Sequence, residues 1–191
     1  MFKNYNFFPT NIWEGIFPEY LKQLEKTCDD ILNSIKNADV NNSYQSHNLQ
    51  NDERFSLFIK DIKKYSNNFL TETGSKFTNL EFTSLWVQEF SLQGGGHHYP
   101  HVHQNTHVSG IYYLKCNKDT SKPIFYDPRA GAEMTKLPQA IVDANTSSAP
   151  SVVLPPVPGT MIIFPSFLSH GHLIDSGKSP YRFIHWHMKA E

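Results

Sequence analysis

The stretch GTMIIFPSFLSHGH, residues 159–172, joins an apolar run typical of a buried strand to a short turn that ends at His170. Similar short runs, rich in β-branched and aromatic residues, occur before and after it, and clusters of Pro, Gly and Asn separate them. These runs cover residues 82–92, 108–114, 124–126, 152–154, 160–164 and 181–188. Several short strands without intervening helices predict an antiparallel sandwich or a small barrel.

The N-terminal third has a helical pattern instead. Two one-sided apolar stripes recur at helical spacing, after Pro18 and after a possible cap at Asn51 or Asp52. They consist of Leu21, Leu24, Cys28, Ile31, Leu32 and Ile35, and of Phe55, Phe58, Ile59, Ile62, Tyr65 and Phe69. The polar segments 37–51 and 128–151 are expected to be loops. We therefore predict a mainly β protein in which two N-terminal helices flank a cupin-like jelly-roll barrel, as a single domain over 1–191 with helical support at 17–72 and a barrel core at 81–188.

Composition narrows the class of protein. The chain has 191 residues, 39% of them hydrophobic, which suits one domain with a proper core. A net charge of -1 gives no basic footprint for nucleic acid, and no apolar run is long enough to span a membrane. The first residues lack the charged, apolar and small-residue regions of a secretory signal peptide. Two cysteines do not form a disulfide framework. A cytoplasmic location is the expectation.

Nine of the ten histidines lie between residues 97 and 187. His101 and His103 share one face of an extended segment, because side chains at i and i+2 point the same way. With His170 they supply three neutral imidazoles, a set that suits a mononuclear metal with open positions. His107 has the same parity and is the main rival. The remaining histidines of this half are expected to be surface, structural or supporting groups: His97, His98, His172, His185 and His187.

Arg182 allows two interpretations. At the edge of a sheet it can extend its charged end to water. Strand parity, however, puts Arg182, Ile184 and Trp186 on one face, and Phe183, His185 and His187 on the other. If the first face is buried, the guanidinium requires an anionic partner, and a carboxylate cosubstrate is a natural one.

The chain resembles the iron(II)/2-oxoglutarate-dependent oxygenases, in particular a small bacterial and phage branch of 2OG-Fe(II) oxygenases. The matching segments are FFPTNIW (7–13), HVHQNTHVSGIYYLK (101–115), IFYDPRAG (124–131), GTMIIFPSFLSHGH and YRFIHW (181–186). This resemblance implies a double-stranded β-helix and an enzyme that uses Fe(II), 2-oxoglutarate and O2, with hydroxylation as the default reaction and succinate and CO2 as co-products.

The resemblance also implies roles for individual residues. His101 and His103 would be the proximal metal ligands and His170 the distal one. Arg182 would hold the far carboxylate of 2-oxoglutarate, with a hydrogen bond from Tyr112 or Tyr113. Asn105 would contact the cosubstrate or a metal-bound water, and Asp127 and Arg129 would form a structural ion pair.

One position departs from the pattern. The superfamily usually has Asp or Glu two residues after the first histidine, where this chain has His103. Either the triad is all histidine, or a carboxylate comes from elsewhere, with Asp127 the nearest candidate. Two other functions stay open: a cupin-like three-histidine dioxygenase that does not use 2-oxoglutarate, and a non-enzymatic metal-binding barrel. The expected substrate is a small molecule or a protein side chain, and a homodimer is possible.

Overall fold

Two antiparallel sheets form the body of the protein, and a computed structural model describes residues 2–5, 7–36, 42–142 and 144–191. The larger sheet has the strand order β1-β8-β5-β10-β3-β2, and the smaller has the order β4-β9-β6-β7. The strands are β1 (Trp13–Ile16), β2 (Ser43–Gln45), β3 (Leu80–Phe90), β4 (His98–His101), β5 (Val108–Lys115), β6 (Pro123–Tyr126), β7 (Ser151–Val153), β8 (Thr160–Pro165), β9 (His170–His172) and β10 (Tyr181–Ala190). This arrangement confirms the predicted jelly roll.

Helices cover the outer face of the larger sheet, as predicted. They are α1 (Leu21–Asn33) and α2 (Ser56–Glu72), with a short α3 (Ala130–Glu133) in the segment before β7. The predicted stripes are the buried faces: Leu24, Cys28 and Leu32 of α1 join Phe58 and Phe69 of α2 in the core beneath the sheet. No helix in the described part of the chain combines the length and the apolar character needed to cross a membrane.

A second core lies between the two sheets and consists mainly of aromatic and aliphatic side chains. Its members are Phe90, Ile111, Tyr113, Phe125, Ile162, Phe164, Leu168, Tyr181 and Phe183. Consecutive residues of β5 and β10 therefore belong to different cores, because side chains alternate across a strand. Tyr112 packs toward the helices, whereas Tyr113 points between the sheets.

Four short strands were not predicted from the sequence: β1, β2, β4 and β9. Each has three or four residues, too few to show a period, and their backbone pairs with neighbours that are distant along the chain. The strand β2 lies within the segment expected to be a loop, of which residues 37–41 lie outside the described residues. The segment 128–151 contains α3, and residue 143 is also outside the described part.

The alternation along β10 determines which side chains line the interior. Ile184, Trp186 and Met188 belong to the core beneath the helices. Tyr181 and Phe183 belong to the core between the sheets, and His185 and His187 follow them on the same face. The face that carries Arg182 is therefore the helical side of the sheet.

Candidate metal centre

Three histidines meet where β4 pairs with β9. His101, the last residue of β4, is directly opposite His170, the first residue of β9. His103 follows two residues later, and its backbone N–H donates to the Ser166 carbonyl oxygen at 3.1 Å. One ligand nitrogen from each of His101, His103 and His170 lies within 4.8 Å of the others. The structure thus brings together the three histidines that the sequence singled out.

Backbone carbonyls orient two of these rings. Nδ1 of His170 is 2.9 Å from the Leu168 carbonyl oxygen, and Nδ1 of His101 is 2.7 Å from that of Tyr99. Because a carbonyl oxygen only accepts, Nδ1 of each ring carries the proton and a neutral ring keeps its lone pair on Nε2. Metal-binding histidines in proteins are commonly held in this way. The two Nε2 atoms are therefore ready to act as ligands.

Burial lowers the pKa of two of the three histidines. Loss of hydration lowers the pKa of His170 to about 4 and that of His103 to about 2, and neighbouring imidazoles lower the pKa of His103 further. A protonated imidazole has no lone pair to donate to a metal. The low pKa values therefore favour the protonation state that binds metal.

The donor set fits a divalent transition-metal ion. Nε2 of His103 and Nε2 of His170 are 3.2 Å apart. Two nitrogens that share one ion at about 2.1 Å each lie roughly 3 Å apart, so this spacing suits a shared ion. Imidazole suits iron and zinc alike. Among the described residues, no carboxylate joins this candidate group, which consists of histidines only.

Four further histidines extend the cluster over the interior: His98, His172, His185 and His187. His98 and His172 face each other with their Nδ1 atoms 3.2 Å apart, and His185 and His187 come from the inner face of β10. Burial lowers the pKa of His98 to about 4 and of His187 to about 3, and lowers the pKa of His172 and His185 well below the usual value. His98, expected to be a surface residue, is in fact part of this interior.

His107, the predicted rival ligand, has another role. Its Nδ1 accepts a hydrogen bond from the Ala190 N–H at 2.9 Å, next to the end of β10. It belongs to neither group of histidines that could hold a metal in the described part of the chain.

Arg182 requires a correction. Its side chain is buried, but it points toward α1: Nε is 2.6 Å from Glu89 Oε2, and Nη1 is 2.6 Å from Asp29 Oδ1. Two protein carboxylates already occupy the guanidinium on the face of β10 opposite to the histidines. The expectation that Arg182 holds the far carboxylate of 2-oxoglutarate is therefore wrong for this structure, although a buried arginine does have anionic partners, as the parity argument required.

The two candidate tyrosines separate across β5. Tyr112 points toward the helices, and its hydroxyl donates to the Phe17 carbonyl oxygen at 2.7 Å, so its expected contact with a cosubstrate is also wrong. Tyr113 is wholly buried between the sheets beside Tyr181, with ring centroids 5.9 Å apart. Neither the Tyr113 nor the Tyr181 hydroxyl has a hydrogen-bond partner within 3.5 Å among the described residues, although the two hydroxyls are close enough to influence each other's pKa. Burial raises the pKa of both phenols well above the usual value, so both hydroxyls keep their protons.

Asn105 and Asp127 have different surroundings. Asn105 is exposed in the turn before β5, with a φ of 58°, and its predicted contact with cosubstrate or water stays a prediction. Asp127 pairs with Arg129, with Nη2 to Oδ2 at 2.8 Å, as expected. It also accepts from Lys136 at 2.8 Å, so it is not available as the carboxylate ligand.

Sequence reasoning did not identify Tyr181 as an inner donor. The available signal was strand parity, because Tyr181 shares its face with His185 and His187. Parity alone does not tell which face of β10 points inward. Arg182, near the start of that strand, favoured the interpretation that its own face lines the site.

Comparison with known proteins identifies a matching family model and solved structures with a similar fold. A family model described as "Putative 2OG-Fe(II) oxygenase" matches residues 84–181, about half of the chain. No curated protein matches the sequence. Among solved structures, AviO1 from Streptomyces viridochromogenes Tue57 superposes with a TM-score of 0.68 at 13% identity, over 94% of this chain and 90% of that chain.

Two other structures show the same fold. A prolyl-4-hydroxylase from Pseudomonas putida has a TM-score of 0.61 at 11% identity, over 94% of this chain and 93% of its own. The alpha-ketoglutarate-dependent epimerase SnoN from nogalamycin biosynthesis has a TM-score of 0.69 at 11% identity, over 94% of this chain and 77% of its own. At such identities the likeness is one of fold, and the named reactions are different from one another.

Proposed function

This chain belongs to the 2OG-Fe(II) oxygenase family, and we propose that it is a dioxygenase that hydroxylates an organic substrate and releases succinate and CO2. Enzymes of this family use Fe(II), 2-oxoglutarate and O2. The observation that carries the proposal is the convergence of His101, His103 and His170, each offering one nitrogen within 4.8 Å of the others. Hydroxylation is the finer part of the proposal, because structural relatives include an epimerase as well as prolyl hydroxylases.

His101, His103 and His170 would hold the iron. When bound, Fe(II) would activate O2, which is the oxidant, while the decarboxylation of 2-oxoglutarate to succinate and CO2 would supply two of the electrons. The protein contributes ring orientation through the Leu168 and Tyr99 carbonyls. Of the three ligands, His170 is buried, whereas His101 and His103 are partly exposed, so the site is open to solvent on one side.

Tyr113 and Tyr181 are proposed to receive the far carboxylate of 2-oxoglutarate. Two buried hydroxyls without partners among the described residues are donors that a carboxylate would satisfy. The rings of His172 and His98 lie between Tyr181 and His101. The ring centroids are 5.7 Å apart for Tyr181 and His172, 5.0 Å apart for His172 and His98, and 5.9 Å apart for His98 and His101. Because Arg182 is the only buried cation in the described chain and faces the helices, neutral donors take over the contact usually given to a guanidinium.

The side chains nearest the ligands along the sequence support an organic substrate with an apolar part. Val102 lies between His101 and His103, Tyr99 supplies the carbonyl that orients His101, and Phe167 precedes the residue that orients His170. All three are exposed. A small molecule or a protein side chain could use such a surface, and the chemistry here does not require a charged substrate.

Turnover of 2-oxoglutarate tests the proposal. Purified protein with Fe(II) and O2 is expected to form succinate slowly without a hydroxylation substrate, and His170→Ala is expected to abolish this activity, because one of three iron ligands is lost. Succinate is measured by mass spectrometry. His47→Ala is the matched control, since His47 is exposed and outside both histidine groups. Undiminished succinate formation by the His170 variant would contradict the assignment.

A further inference from the structure

A second group of histidines lies next to the iron site. One ligand nitrogen from each of His103, His185 and His187 lies within 4.8 Å of the others. The ring centroids of His103 and His187 are 3.5 Å apart, and those of His185 and His187 are 4.5 Å apart. His185 and His187 point inward from β10, and neither belongs to the group formed by His101, His103 and His170. The described part of the chain thus has two groups of three convergent histidines, and His103 belongs to both.

Several nitrogens of this group have no hydrogen-bond partner. His185 is 1% exposed, and neither of its ring nitrogens is paired with a described residue. His187 is 5% exposed; its Nδ1 is 2.9 Å from Ser109 Oγ, while its Nε2 is unpaired within the same part of the chain. Buried polar atoms normally have partners, and leaving them without one is unfavourable. These nitrogens therefore indicate that something other than protein binds here.

We propose that His103, His185 and His187 form a second site for a divalent transition-metal ion of the kind that binds imidazole, such as Fe²⁺, Co²⁺ or Zn²⁺. Three convergent imidazoles are a ligand set that such ions accept. A neutral imidazole has one lone pair, so His103 serves one ion at a time. The two sites are therefore alternatives. An ion bound to His103 has either His101 and His170 or His185 and His187 as its other ligands.

The ligands of the second site are less exposed to solvent than those of the iron site. His101 and His103 are partly exposed, whereas both residues that belong only to the second site are buried. An ion held by His103, His185 and His187 would therefore be less exposed to solvent than one held by His101, His103 and His170.

Cobalt absorption in variants of the whole chain tests this inference, because the visible spectrum of Co²⁺ reports on its ligands. The variant H101F/H170F lacks two ligands of the iron site and is expected to bind one Co²⁺ still, with a visible spectrum. Adding H185F and H187F to this variant is expected to abolish the spectrum. Adding H47F instead is the control and is expected to leave it unchanged, since His47 is exposed and outside both groups.

Two results would overturn the inference. One is a folded H101F/H170F protein that binds no Co²⁺; water would then be the partner of the unpaired nitrogens. The other is Co²⁺ binding that does not change when His185 and His187 are replaced. If the double variant fails to fold, H101F is compared with H101F/H185F/H187F; a Co²⁺ spectrum that is the same in both would overturn the inference, because His103 and His170 would then account for it. Absence of succinate formation by the wild-type protein bears on the proposed function and leaves these spectra unaffected.

Discussion

At the scale of single residues, the site depends on which ring atom carries a proton. His101 and His170 each place Nδ1 against the carbonyl oxygen of the residue two positions earlier, at 2.7 and 2.9 Å. This local contact leaves Nε2 as the donor to a metal, and it needs no distant partner. The proposed contacts to the cosubstrate are not local in this way, because Tyr113 and Tyr181 come from two different strands.

Adjacent tyrosines on β5 give the first prediction. Tyr113→Phe removes a buried hydroxyl proposed to donate to the carboxylate of 2-oxoglutarate. A hydrogen bond to a charged group is worth about 1.5–3 kcal/mol, so we expect the KM for 2-oxoglutarate to rise roughly 10- to 100-fold. Steady-state succinate formation measures this value.

Tyr112→Phe is the matched control for that experiment. Its hydroxyl donates to the Phe17 carbonyl oxygen on the helical side, so the KM is expected to stay unchanged while stability falls slightly. Equal KM values for the two variants would refute the proposed carboxylate contact.

At the scale of elements, the metal cluster is made by the pairing of two very short strands. Only the register of β4 with β9 places His101 opposite His170. Gly171, between the two histidines of β9, permits this approach: a Cβ at that position would lie 2.4 Å from the His98 carbonyl oxygen. A side chain there must push the strands apart, because the obstacle is backbone.

Gly171→Ala is therefore expected to weaken iron binding. Separating β4 from β9 misplaces His101 relative to His170, and we expect the apparent Kd for Fe(II), measured through succinate formation, to rise about tenfold or more. Overpacking should also lower the free energy of unfolding by about 1–3 kcal/mol. Gly131→Ala in α3 is the control, since a Cβ there meets no described atom within 4 Å. Unchanged iron affinity in the Gly171 variant would show that strand spacing does not determine the site.

The elements also show what a sequence can and cannot predict. The helices, the long strands β3, β5, β8 and β10 and the three clustered histidines follow from apolar periodicity and from i, i+2 spacing. The strands β4 and β9 do not, because their three or four residues are defined by pairing across the chain. The roles of Arg182 and Tyr112 were wrong for one related reason: parity groups residues by face but does not identify the face that helices cover.

At the scale of the whole molecule, Arg182 joins the helical layer to the sheet. Its guanidinium contacts Asp29 on α1 and Glu89 on β3, and Lys36 also pairs with Glu89. A buried arginine that bridges two layers is a structural element, and its removal leaves Glu89 with only one cationic partner among the described residues.

Arg182→Ala is accordingly predicted to affect stability rather than cosubstrate binding. Breaking a buried pair usually costs 3–5 kcal/mol, and we expect about 3 kcal/mol because Lys36 still compensates Glu89. Thermal denaturation should show a fall in Tm of roughly 6–12 °C. Lys189→Ala, which removes an exposed ion pair with Glu191, should change Tm little. A raised KM for 2-oxoglutarate at unchanged Tm would restore Arg182 as the cosubstrate anchor.

Anomalous X-ray scattering at the iron edge, from anaerobic crystals loaded with Fe(II) and 2-oxoglutarate, most directly tests the account that three imidazoles hold one catalytic ion. We predict a single strong peak within bonding distance of the Nε2 atoms of His101, His103 and His170. A peak bound by a carboxylate side chain of the protein, or no peak among these three rings, would contradict it.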